Sequence, residues 1–351
     1  MARIRCSNVG IRAINACIPK QKKRTQEFSS ILSAEAIADI EHTVGIAERR
    51  IAGADICTSD LCYTAAAQLL HDNGIEPQSI DMLLFMSQTG DYKIPMTSTL
   101  LQDRLGLPKS CACLDLVNAC SGFVYALSTA YSYASMEGID RVLLLTGDTL
   151  SKLLSTSDTV SAPVFGDAGT AVLVEKGSYG SSYFELGSSG RDYESIIIRA
   201  ENGGRNPITQ DSLQERDAGD GIMRSGLQLK MEGMDVFSFA ITTVPKSIRA
   251  LYEYSGTTDA DVDLYLLHQA NRYILDIVAK KLKTAREKIP TNLGLYGNTS
   301  SASIPLLLCT EFEHTKLSKR CVLCGFGAGL SWASAYLRLT DCAIGTLAEL
   351  S

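Results

Sequence analysis

Three segments of this 351-residue chain carry side chains of a type and spacing that could do covalent chemistry. The first is Asp115-Leu-Val-Asn-Ala-Cys-Ser-Gly-Phe-Val-Tyr125. An apolar strand ends near Val117, and helical spacing begins at Phe123 and continues through Leu127, Ala130, Tyr131 and Ala134. Cys120 therefore falls in a strand-to-helix turn. A thiol at that place faces unpaired N–H groups and the positive end of the helix dipole, and both favour the nucleophilic thiolate. A buried structural cysteine is the competing reading, since the chain has eleven. The second segment ends in a histidine. His42 and His71 lie in polar helical surroundings and His314 in the charged run Glu311–Lys316, whereas His268 closes the apolar strand Asp263-Leu-Tyr-Leu-Leu267. Strand ends are where sites collect in α/β sheets, although a lone histidine there can equally be a packed core residue. The third is Tyr296-Gly-Asn-Thr-Ser-Ser-Ala-Ser-Ile-Pro305, in which Asn298 could direct its amide into a pocket or simply cap a turn.

Two further motifs bear on the same chemistry. Gly325-Phe-Gly-Ala-Gly-Leu-Ser-Trp332 reads as a glycine-rich turn between two strands, open to close backbone approach. It is no dinucleotide fingerprint, because no helix follows. Cys321-Val-Leu-Cys324 has metal-type spacing, but a strand sends its two thiols to opposite faces and no second pair exists, so zinc is rejected.

These residues need a frame. Short apolar runs at 81–86, 112–117, 141–146, 170–175, 196–198, 263–267, 320–324 and 333–338 read as strands. They alternate with helical patterns at 59–73, 122–138, 235–255, 272–284 and 303–316, which makes an α/β layered fold. The halves are alike in content, so a pair of related αβ domains is expected. The stretch 177–223, rich in Gly, Ser, Asn and Asp, reads as the joint between them followed by a long loop with one strand. The basic run Lys20–Arg24 reads as a solvated surface turn. With 33 basic and 39 acidic residues the net charge is −6, which argues against a general nucleic-acid binder. No run approaches the roughly 20 apolar residues of a membrane helix, and the N-terminal segment lacks the apolar block of a signal peptide. An odd number of scattered cysteines then reads as reduced thiols in a cytoplasmic protein.

Taken in order, Asn-Ala-Cys120-Ser-Gly-Phe, Phe165-Gly-Asp167, His268-Gln-Ala-Asn271, Tyr-Gly-Asn298-Thr-Ser and the closing glycine-rich turn resemble the β-ketoacyl-acyl-carrier-protein synthase III family. The resemblance runs from Gly45 to Leu339. It implies the thiolase fold, a five-layered αβαβα homodimer, with one half at 1–176 carrying the cysteine and the other at 177–351 carrying His and Asn. It also implies an acyl-Cys120 intermediate formed from an acyl thioester. An oxyanion hole of the Cys120 and Ala328 N–H groups would hold the tetrahedral oxygen. His268 and Asn298 would stabilise the enolate released when malonyl-acyl-carrier protein loses CO2. Phe326, Asn271 and Ile94 would line the substrate pocket, Ile94 reaching the neighbouring subunit, and Arg272, Lys280 and Lys281 would meet the acidic carrier protein. No metal or redox cofactor is called for. The departures lie at the donor entrance. The family's coenzyme-A contacts, a Trp and two Arg, match Asp39, Thr43 and Thr159, and a further Arg matches Tyr273. A donor other than coenzyme A, in a specialised pathway, is therefore one alternative, and a silent partner subunit another.

Overall fold

The computed structural model describes every residue except Ala218. Eight strands form one hydrogen-bonded system: β1 (Ala2–Pro19), β2 (Met82–Met86), β3 (Ala112–Leu116), β4 (Arg141–Asp148), β5 (Ala168–Ser188), β6 (Leu264–Leu267), β7 (Lys316–Gly327) and β8 (Ser331–Leu350). Their order is β6-β7-β8-β1-β5-β4-β2-β3, with a further pairing of β8 to β5. Strands β2, β3 and β4 are mutually parallel, as are β6 and β7. The principal helices are α1 (Thr58–Asp72), α2 (Thr97–Arg104), α3 (Gly122–Ala134), α4 (Gly233–Ser255), α5 (Arg272–Leu282) and α6 (Ser303–Glu311).

The layers follow from the period-2 alternation of apolar residues along strands buried on both faces. Met82, Leu84 and Met86 of β2, Val142 and Leu144 of β4, and Leu266 of β6 join one cluster with α3 and α6. Their neighbours Leu83, Phe85, Leu143 and Leu145 turn the other way, onto α1. In the second half Tyr265, Leu267, Val322 and Cys324 pack on α4 and α5. The result is five layers: outer helices, strands, the central pair α3 and α6, strands, outer helices. Each fully buried Leu, Val or Phe contributes about 1.5–3 kcal/mol, so the central layer is a principal store of stability.

Three long strands belong to both sets of layers. The first part of β1, Ala2–Ser7, pairs with Ser181–Leu186 of β5, and its second part, Val9–Cys17, with Gly169–Lys176. Likewise β8 pairs with β5 through Ser331–Tyr336 and with β1 through Ala343–Leu350. Residues 176 and 177, where the halves were expected to meet, therefore lie inside β5. The joint expected from Gly177 is instead strand as far as Ser188. Gly177 and Gly187 are there for packing, not for a turn: a Cβ at Gly177 would lie 2.9 Å from the Tyr179 ring, and one at Gly187 would strike the Trp332 ring. The basic run also differs from the expected turn. Lys22–Arg24 pairs antiparallel with Glu48–Arg50, and Lys22 meets Glu48 at 3.0 Å.

Candidate active site

Cys120 sits between the end of β3 and the start of α3, in a turn closed by the Gly122 N–H donating to the Ala119 carbonyl at 2.7 Å. Asn118 organises this turn. Its Oδ1 accepts from the Ala119 N–H at 2.7 Å, the Ser121 hydroxyl at 3.2 Å and the Ser331 hydroxyl at 3.3 Å. The glycine-rich strand end lies directly against it: a Cβ at Gly327 would be 2.9 Å from Cys120 Cβ and 3.4 Å from its Sγ. One at Gly325 would be 2.8 Å from Ser121 Cα. Glycine is needed at both places so that β7 can reach the nucleophile. The expected thiolate is not what this environment favours. The side chain is buried, and desolvation pushes the thiol up to about 12, only partly opposed by its hydrogen bond to Ser300.

His268 follows β6 directly, its N–H donating to the Cys324 carbonyl at 2.9 Å, so the ladder that fixes β6 also fixes the histidine backbone. Its ring meets Phe326 edge-on at 5.2 Å, and Nδ1 lies 2.8 Å from Ser303 Oγ at the start of α6. Burial holds the imidazole down to about 3, so it is uncharged at neutral pH. Asn298 is positioned by an isolated bridge to the Phe165-Gly-Asp segment. Its N–H donates to Val164 at 2.9 Å, and its carbonyl accepts from Gly166 at 3.0 Å. Gly297 makes this possible with φ +64, where a Cβ would strike the Val164 carbonyl at 2.6 Å. Asp167 secures the same segment from behind through the N–H groups of Ala52 and Ser151, and burial raises its carboxyl to about 6.

The three residues meet at the turn Ser300–Ser303. Cys120 Sγ donates to Ser300 Oγ at 3.6 Å, the Ser300 N–H donates to Asn298 Oδ1 at 2.9 Å, and the Ser303 hydroxyl lies 2.8 Å from His268 Nδ1. Ser300 is fully buried and has φ 51, a left-handed conformation that a non-glycine residue holds only where its surroundings enforce it. Behind it lies Asp148, at the end of β4 and fully buried. The sequence reading passed over both Ser300 and Asp148. The one advance signal was a carboxylate closing an apolar strand.

The remaining expected residues fall into two groups. Phe326 and Ala328 are at the site, Phe326 against His268 and Ala328 in the turn beyond Gly327, where its carbonyl accepts from Ser331 at 2.8 Å. The others lie outside the Ser300 cluster. Ile94 is 87% exposed. Asn271 caps α5, its Oδ1 accepting from the Ile274 N–H at 2.7 Å. Arg272 lies along Gly45 and reaches the His42 carbonyl at 3.5 Å, Lys281 donates to the Ile241 carbonyl at 2.9 Å, and Lys280 is exposed in the last turn of α5. Cys321 and Cys324 point into different core clusters. Among the described residues no group of three or more His, Cys, Asp or Glu could hold a metal ion, and no helix is long and apolar enough to cross a membrane.

Known proteins resemble this chain over nearly its whole length. Residues 114–190 match the family model described as 3-oxoacyl-[acyl-carrier-protein] synthase III, and residues 252–339 match that of its C-terminal part. A putative 3-oxoacyl-[acyl-carrier-protein] synthase 3 of Campylobacter jejuni is 33% identical over 347 residues, covering 97% of this chain and 96% of its own. A β-ketoacyl-[acyl-carrier-protein] synthase III of Staphylococcus epidermidis is 33% identical, with 94% and 99% covered. The crystal structure of a 3-oxoacyl-(acyl-carrier protein) synthase from Burkholderia xenovorans superposes with a TM-score of 0.92 at 35% identity, covering 99% of both chains. Similarity of this extent, over both halves and the whole layered frame, means that the chain belongs to the 3-oxoacyl-[acyl-carrier-protein] synthase III family.

Proposed function

We propose that this enzyme, an acyltransferase of the ketosynthase type, performs a decarboxylative condensation through an acyl-Cys120 intermediate in fatty-acid or related lipid synthesis. The meeting of Cys120, His268 and Asn298 around the turn Ser300–Ser303 is the observation that carries this reading. Cys120 sulfur attacks the carbonyl carbon of an acyl thioester, and the tetrahedral oxygen is held by the N–H groups of Cys120 and Ala328. Collapse expels the donor thiol. Malonyl-acyl-carrier protein then enters, and its carboxylate leaves as CO2, the electron pair of the broken C–C bond passing into the thioester enolate. Neutral His268 and the Asn298 amide donate hydrogen bonds to that enolate oxygen. The carbanion carbon attacks the acyl-Cys120 carbonyl and lengthens the chain by two carbons, and the Cys120 sulfur leaves as thiolate and takes up a proton from solvent to restore the thiol. Phe326 shields the site from water beside His268. This chemistry calls on no metal and no redox cofactor.

The same reading takes 1–176 and 177–351 as the two halves and the molecule as a cytoplasmic homodimer. Support for the dimer comes from β3, which ends the sheet with an unpaired edge beside exposed Val117 (83%) and the exposed Ile94. Across such an interface Ile94 would enter the neighbouring acyl pocket, with Asn271 on this subunit's own side. Arg272, Lys280 and Lys281 at the α5 face would meet the acidic carrier protein. One observation favours a donor other than coenzyme A. Tyr273 stacks on Phe237 at 5.6 Å with ring planes 4° apart, an aromatic pair at a position where the family resemblance calls for a phosphate-pairing arginine.

Intact-protein mass spectrometry after incubation with acyl-coenzymes A and acyl-carrier proteins tests the proposal, with Cys120→Ser as the blank. A Cys120-dependent adduct is the expected result. An adduct from carrier protein alone would place the enzyme in a specialised pathway, and no adduct from any donor would leave only the silent-subunit reading.

A further inference from the structure

Asn298 can donate to an enolate only while its amide is held facing the pocket. Its Oδ1 is taken by the Ser300 N–H at 2.9 Å, which leaves the NH2 group as the donor end. Its backbone is held by the bridge, donating to the Val164 carbonyl and accepting from the Gly166 N–H. The side chain lying against that bridge is Arg49, from the short strand Glu48–Arg50. Arg49 is only 1% exposed. Its stem packs on the two glycines that the bridge brings together. A Cβ at Gly297 would lie 2.7 Å from Arg49 Cγ, and one at Gly166 would lie 3.5 Å from Arg49 Cβ. At the far end, Nη1 donates to the Ala162 carbonyl and, at 3.4 Å, to the Phe165 carbonyl. Nε and Nη2 have no hydrogen-bond partner among the described residues, and the Phe28 ring faces the charge at 4.8 Å. A buried charge is costly unless acceptors meet it, so the guanidinium draws these two carbonyls to itself. They flank Val164 and Gly166, the residues that grip Asn298.

We propose that Arg49 is a positioning residue for the decarboxylation step, holding Val164–Gly166 so that the bridged Asn298 presents its amide to the enolate oxygen. The inference rests on the enolate-holding reading of Asn298 above. Arg49 donates to backbone carbonyls and gives up no proton, so it acts through Asn298 and takes no chemical part. The planar guanidinium suits this task, because one Nη1 serves two carbonyls three residues apart while the stem fills the space beside Gly166 and Gly297. A lysine ammonium is a point charge and could reach one of them without fixing both. The Cys120 turn is held by other groups, Asn118 within it and the glycines of β7 against it. Acylation of Cys120 is therefore independent of Arg49, and the two halves of the reaction separate at this residue.

The test measures the two half-reactions apart: Cys120 acylation by a panel of acyl-N-acetylcysteamine thioesters, read by intact mass, and CO2 release from malonyl-acyl-carrier protein. Arg49→Met should acylate within about twofold of wild type but release CO2 about 10- to 100-fold more slowly. Arg49→Lys, which returns a charged donor to the carbonyls, should recover part of that loss. The decisive comparison is the double variant Arg49→Met/Asn298→Ala. With the positioned amide gone, it should release CO2 within about twofold of Asn298→Ala alone. A merely structural role lowers the rate by the same factor in both backgrounds. That additivity, an equal loss in the two half-reactions, or wild-type CO2 release by Arg49→Met would overturn the proposal. Should Arg49→Met not fold, Arg49→Lys passes through the same cycle under the same criteria. Wild-type CO2 release by Asn298→Ala would remove the enolate-holding reading and Arg49's role with it. A slow Asn298→Ala beside an additive Arg49 removes the positioning role alone.

Discussion

Serine in place of Cys120 substitutes a hydroxyl that stays protonated at neutral pH for the one side chain here able to carry an acyl group. Acylation of Cys120→Ser should fall by at least about 1000-fold in the mass assay. His268→Ala and Asn298→Ala divide the reaction differently. Both should still form the acyl-enzyme, yet release CO2 from malonyl-acyl-carrier protein at least about 100-fold more slowly. Near wild-type condensation by either would contradict the enolate-holding role. Gly327→Ala puts a methyl 2.9 Å from Cys120 Cβ. A displacement of about 1 Å at the nucleophile should cost about 100-fold in acylation while the far-UV circular dichroism stays native. Cys120, His268 and Asn298 were legible in the sequence because Cys120 falls between a strand and a helix, His268 closes a strand and Asn298 follows a glycine. Ser300 was not, since the serines at 300, 301 and 303 are equivalent until the backbone path sends one to the thiol, one to Asp148 and one to His268. The burial that works against the expected thiolate was not legible for a related reason. Position at a helix start is visible in sequence, whereas the depth of burial that outweighs it is set by strands far away in the chain.

Elements hold these groups through a few cross-connections, of which the one at the entrance to β6 can be weighed. Asp263 accepts from the Arg320 backbone N–H and from its guanidinium, both at 2.8 Å, which clips β6 to β7 just ahead of His268. The Arg320 side chain, its backbone N–H and its charge hold the Asp263 carboxyl down to about 2, below its ordinary 3.8. A depressed carboxyl stabilises the fold above its unfolded pKa and loses that contribution as pH falls toward 2. Asp263→Asn should therefore unfold more easily in urea at pH 7, by about 0.5–1 kcal/mol after allowance for solvent screening, and the gap should close as the pH approaches 2. Most interior strands were legible, because alternating large apolar residues in β2 and β4 admit little else. Strand β1 was overlooked: its first part carries Arg3, Arg5 and Ser7 on an exposed face, and only pairing with β5 reveals it as sheet. The second part of β5 escaped for the same reason, its glycines and serines resembling a turn until Tyr179 is seen covering Gly177.

For the whole molecule, the edge at β3 predicts assembly. Val117→Arg should shift the sedimentation coefficient from dimer to monomer, and substitutions at Ile94 should alter which acyl chain lengths acylate Cys120, if a second copy pairs there. An unchanged dimer in Val117→Arg would move the interface elsewhere. The two-layered halves themselves were readable from composition, but not the way they are joined. That β1, β5 and β8 each pass from one set of layers to the other also fixes how the chain yields to a protease. Among the described residues no loop separates the halves, so digestion is expected to begin in the long exposed stretch from Glu201 to Asp217, well beyond the halfway point. A nick there leaves every long strand intact. The fragments should stay associated through native purification, separate only on denaturation, and retain the acylation assay's signal, because Cys120, His268 and Asn298 keep their frame.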